Sequence, residues 1–123
     1  MSEKVVVNDP KGVGAFIQAS NEIEMLNTLS YGKGKTVLLD YYFNRETRMD
    51  AGKPIRFHYI WEEYDNNGYS ILGNIFNRYG VQAKSLETGP TVQNLKGADI
   101  YLIVDPDTEK ETKSPNYIQP KDI

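Results

Sequence analysis

The sequence predicts an α/β fold, a partial doubly wound and mainly parallel three-stranded sheet with flanking helices. Three observations carry that expectation. A short continuous apolar run at Thr36–Tyr42 suits a strand buried on both faces, as in parallel sheets; Val81–Leu86 reads as a second strand and Ile100–Val104 as the clearest one. Stretches with helical spacing lie between or before them. The resulting order of helix, strand, long loop, helix, strand, short helix, strand favours parallel pairing through right-handed crossovers.

Asn8-Asp9-Pro10-Lys11-Gly12 has turn chemistry. From Val13 to Leu26, Phe16, Ala19, Ile23 and Leu26 recur at spacings of 3, 4 and 3, which puts one apolar stripe on a helix. Ser30 to Lys35 reads as a linker before the first strand. Residues 43–67 show no clean period, and loops of that length are often functional. Arg56–Trp61 is expected to form an edge strand inside this stretch. Ser70 is the expected N-cap of a helix carrying Ile71, Leu72, Ile75, Phe76 and Tyr79, with Gly80 as its stop. Pro90-Thr91 opens a short helix through Leu95 that Gly97 ends, and Asp105-Pro106-Asp107 breaks the last strand. Ile118 to Ile123 has the chemistry of a helix start, with Pro120 in the first turn and Asp122 complementing the helix dipole.

These elements divide into residues 1–35, a helix and linker, and residues 36–123, an incomplete α/β domain. A parallel sheet needs cover on both faces, and no helix follows the third strand. The expectation is therefore a truncated domain whose cover comes from further chain or from a second copy.

Composition limits the function. The chain has 123 residues, 39% apolar and 25% charged, which suits one globular unit. A net charge of −3 gives no nucleic-acid footprint. There is no cysteine, so disulfides and thiolate chemistry are excluded while the compartment stays open. No apolar run approaches the roughly 20 residues that span a bilayer, and Val5-Val6-Val7 is too short for a secretion signal. Nine tyrosines favour half-exposed surfaces facing polar ligands.

Ligands of open parallel sheets sit beyond the carboxyl ends of the strands. That edge would carry Asp40, Tyr42 and Asn44 after the first strand, and Asp105 and Asp107 after the third. Paired carboxylates there can serve as acid and base or bind a hard cation; the plainer reading is that each caps a turn. His58, the single histidine, lacks a Ser or Cys partner motif, so no catalytic residue is assigned. Tyr59 and Trp61 belong to an aromatic crowd that either packs the long loop or offers a face to a sugar ring. Gly32-Lys33-Gly34-Lys35-Thr36 has the wrong spacing for a phosphate loop and precedes a strand. No motif calls for a metal or cofactor.

Several segments resemble a known family. Gly12–Glu22 is similar to the end of the helical barrel of unsaturated rhamnogalacturonyl hydrolases, glycoside hydrolases of pectin oligosaccharides. Leu38–Asn44, His58-Tyr59-Ile60-Trp61-Glu62, Gly73-Asn74-Ile75-Phe76 and Val104–Thr112, with Pro115-Asn116-Tyr117-Ile118, resemble an α/β domain appended to that barrel. The resemblance implies an accessory domain similar to glutamine-amidotransferase-like or flavodoxin-like folds, in an exported or periplasmic protein. It carries over no catalysis, because the barrel carboxylates have no counterpart here and the amidotransferase cysteine is absent. The expected partners are a helical barrel or a second copy, with an oligosaccharide as ligand. The competing readings are a hydrolase using Asp40, Asp105 and His58, and a small-ligand sensor.

Overall fold

β1, Thr36–Asp40, takes its place in the fold from its four apolar and acidic residues after Thr36, all buried. A strand with both faces buried belongs in the middle of a sheet, and it lies there. In a computed structural model, which describes residues 10–28 and 31–122, the sheet order is β4-β1-β5 with both pairings parallel. β4 is Gln82–Leu86 and β5 is Ile100–Leu102. Val37 stands opposite Ala83 on one side and Ile100 on the other, and Leu38 opposite Lys84 and Tyr101. The chain is thus an α/β protein with a three-stranded parallel sheet.

The crossover from β1 to β4 contains a two-stranded antiparallel hairpin, β2 at Thr47–Asp50 and β3 at Lys53–Arg56. Its turn is Ala51-Gly52, both at positive φ, the twist that suits a two-residue hairpin. This corrects the expected edge strand at Arg56–Trp61. The strand ends at Arg56 because His58 and Tyr59 have φ of 58° and 47°, which no extended strand accommodates.

Helix α2, Ser70–Arg78, follows. Its N-cap is Tyr69 rather than Ser70, which is buried as the first helical residue. Gly80, at φ 83°, ends the helix as expected. The expected short helix at 91–95 is instead one capped turn. Leu95 N–H donates to Thr91 O at 2.9 Å and Asn94 N–H to Thr91 Oγ1 at 3.1 Å, and left-handed Gly97 redirects the chain. Pro120–Asp122 forms a 3-10 turn in which the Asp122 carboxylate accepts the Gln119 N–H at 2.8 Å.

The buried apolar set is Val37, Leu38, Leu39, Phe43, Ile60 and Leu86. The chain's own residues therefore cover both faces of β1. The expected need for a borrowed cover does not extend to this strand. Exposed apolar groups lie elsewhere, at Ile100 and Ile103 near the sheet edge and along α1, Pro10–Thr28, where Phe16 is 73% and Leu26 70% exposed. Among the described residues no helix is long and apolar enough to cross a membrane. Of the expected turn at 8–12, Asn8 and Asp9 lie outside the described residues, while Pro10, Lys11 and Gly12 already belong to α1, with proline suited to a first helical turn; the linker residue Ser30 and Ile123 also lie outside.

Candidate functional site

The carboxyl edge of the sheet begins at Asp40. Its carboxylate is buried, and Oδ2 accepts the N–H groups of Phe43 at 2.8 Å and Asn44 at 3.2 Å. Oδ1 accepts the Tyr101 hydroxyl at 2.6 Å. The register explains that pair. Tyr101 faces Leu38, and Asp40, two residues further on, projects from the same face. Burial, then the bond to Asp40, pushes the Tyr101 phenol far above its ordinary range. With three donors on one carboxylate, Asp40 holds a turn rather than offering a free base.

The loops after β1 and β5 are laced together by the other two polar residues of this edge. Asn44 Nδ2 donates to Val104 O at 3.4 Å. Asp107 N–H donates to Phe43 O at 2.9 Å, while its Oδ2 accepts the Arg45 N–H at 3.2 Å. The Arg45 guanidinium in turn donates to Ser114 O. Asn44 is 1% and Asp107 2% exposed, so both act inside the clasp. Asn44 Oδ1, Asp107 Oδ1 and Arg45 Nε are buried in these two loops without a protein partner. Cationic Arg45 among those acceptors argues against a cation there. No group of three or more His, Cys, Asp or Glu able to hold a metal occurs among the described residues.

A second cluster lies where the long loop meets the turn after β5. His58, Tyr59 and Asp105 are all left-handed, at φ 58°, 47° and 44°. Such conformations cost bulky residues about 1–2 kcal/mol each and persist where surrounding contacts impose them. The contacts are present. Phe57 N–H donates to Glu46 O at 3.1 Å and Tyr59 N–H to Asn67 O at 3.0 Å. His58 Nδ1 lies 3.0 Å from Glu46 Oε2, and its ring stacks on Phe57 with centroids 3.9 Å apart. That leaves Nε2 as the ring nitrogen not engaged by Glu46. Burial, then nearby Asp105, raises the Tyr59 phenol above its ordinary range. His58 and Tyr59 are half-buried, with part of each ring open to solvent.

Trp61 points elsewhere. Its Nε1 donates to Lys84 O at 2.9 Å, and its ring meets Phe76 and Tyr69 edge-on at 6.3 and 6.4 Å. Gly73 lets it in, since a Cβ there would stand 2.9 Å from Cε3. Trp61 is the bolt between the long loop, α2 and β4. Tyr42, in the loop after β1, lines a separate groove with Gly89–Val92, Pro115–Tyr117, Gln119, Lys121 and Asp122.

The structure thus joins Asp40, Asn44 and Asp107 in one buried clasp and brings half-buried His58 and Tyr59 together with exposed Asp105 in a second cluster. Trp61 and Tyr42 stand apart from both. Sequence reasoning missed Glu46, Tyr101 and Asn116. Glu46 sits in an aperiodic loop with no local signal, and Tyr101 acquires its partner only through strand register. Neither a protein-family model, nor a curated protein, nor a solved structure matches the chain.

Proposed function

We propose that this chain is a non-catalytic accessory module of a carbohydrate-processing, pectin-directed glycoside hydrolase, and that it holds an oligosaccharide at the His58–Tyr59–Asp105 cluster. The observation that carries the reading is the run of left-handed aromatic residues presented beside Asp105 and Glu46 at the carboxyl edge of a parallel sheet. Strain of this kind concentrates at binding sites, and half-open rings beside carboxylates offer a stacking face and hydroxyl acceptors. A helical barrel or a second copy is the proposed neighbour on α1, in keeping with its exposed stripe. The hydrolase reading is the weaker one, because Asp40, the carboxylate it pairs with Asp105, is committed to three structural donors.

Calorimetric titration with galacturonan oligosaccharides tests this. Binding is expected without release of reducing ends, weakened by about tenfold or more, some 1.4 kcal/mol, in Tyr59→Ala and Asp105→Asn. Turnover that collapses in Asp105→Asn would replace the accessory role with hydrolysis, and unaltered binding in both variants would remove the cluster from the site.

A further inference from the structure

The groove beside Tyr42 is independent of that cluster and has a different chemistry. It is about 570 Å³ in volume and is built from three segments distant in sequence: the loop after β1, the loop after β4, and residues 115–122. The clasp that shapes it is Asn116 Nδ2 donating to Tyr42 O at 2.8 Å. The Tyr42 ring closes one wall against Gly89, where even a Cβ would meet it at an ordinary contact distance of 3.4 Å. Pro90, Val92 and Pro115 supply further apolar surface, and Thr91, Asn116 and Gln119 supply polar groups. Two charged residues line it. The Asp122 carboxylate keeps its charge while accepting the Gln119 N–H at 2.8 Å, which turns one of its oxygens to the backbone, and Lys121 makes no ion pair with an acid of this chain among the described residues. Glu109 lies near the Tyr117 hydroxyl and raises the phenol.

An aromatic wall, hydroxyl and amide groups and one unspent ammonium, gathered past the carboxyl ends of β1 and β4, form a small-molecule site in the usual place for such sheets. We infer that this groove binds a hydroxylated small molecule carrying one anionic group, with Lys121 on the anion and the Tyr42 ring under the carbon skeleton. The anion is a carboxylate or a phosphate, the chemistry shared by sugar acids and sugar phosphates.

Glucuronate, glucose 6-phosphate and glucose are titrated separately into the full chain, with ligand-observed NMR as readout. One or both anions are expected to bind at least about tenfold more tightly than glucose, and which of them does so identifies the anion. Lys121→Gln is expected to bring the anions down to the level of glucose. Val92→Trp, at a position 93% exposed and so harmless to folding, is expected to block all three. His58→Ala and Tyr59→Ala are expected to leave these affinities unchanged, which separates this groove from the oligosaccharide reading. Failure of both anions to bind, equal binding of anions and glucose, or retained anion affinity in Lys121→Gln overturns the inference.

Discussion

At the scale of single residues, Tyr101 and Asp40 form the most consequential pair. Removing the phenol oxygen leaves Asp40 Oδ1 buried without its donor, which costs about 1–3 kcal/mol. Tyr101→Phe is therefore expected to lower the unfolding free energy by that amount, read as a lower urea midpoint at an unchanged slope. The pair also sets a pH dependence. Because the folded phenol is held above its unfolded range, near 10, the folded state keeps protons there that the unfolded state releases. The stabilisation is complete below about pH 10 and is lost as pH rises beyond it. Tyr41 and Tyr59 are raised in the same direction, each by burial first, and add to the effect. Denaturant titration from pH 8 to 11 is expected to show a steeper alkaline loss in the native chain than in Tyr101→Phe. Arg56 plays a different part at this scale. It lies 4.3 Å over the Tyr41 ring and bonds Glu87 at 2.7 Å and Ser85 at 2.9 Å, tying the hairpin to the sheet.

At the scale of elements, Trp61 and Gly73 decide how the long loop meets α2. Gly73→Ala forces a methyl against the indole at 2.9 Å, an overpacking that costs about 1–3 kcal/mol. Thermal unfolding followed by tryptophan fluorescence is expected to shift accordingly, with the indole environment changed before unfolding begins. The elements were legible in the sequence to the extent that their signals are local. Apolar runs located β1 and β5 and helical spacing located α1 and α2, whereas β4 was read from the segment after Gly80 although Gln82, Lys84 and Ser85 interrupt its apolar residues. The hairpin was not legible, because Thr47–Asp50 and Lys53–Arg56 are polar and mostly exposed, with no alternation to read. The 91–97 turn was read as a helix because Pro90 and Thr91 have the right start chemistry, but the segment is too short to propagate. Of the candidate site, the carboxyl-edge residues were legible from strand ends alone. Their division into a buried clasp and an open cluster depends on φ angles and register, which no local pattern encodes.

At the scale of the whole molecule, the sheet and α1 are unequal partners. β1 is sealed on both faces, whereas Phe16, Ile23 and Leu26 project an apolar stripe that the rest of the described chain leaves largely open. Burial drives stability, so groups that stay in water contribute little to it. Phe16→Ser with Leu26→Ser is accordingly expected to move the unfolding free energy of the isolated chain by no more than about 0.5 kcal/mol, against several for Leu39→Ala. Matched urea curves for the two variants check this, and a large loss in the helix double variant would show that α1 folds onto the sheet in solution.

The mirror-handed turn at His58 and Tyr59 has a consequence for timing. Its conformational cost is met when the chain folds, well before any encounter. A visiting molecule finds a surface whose shape is settled in advance, and it surrenders less freedom on arrival than it would to a slack loop.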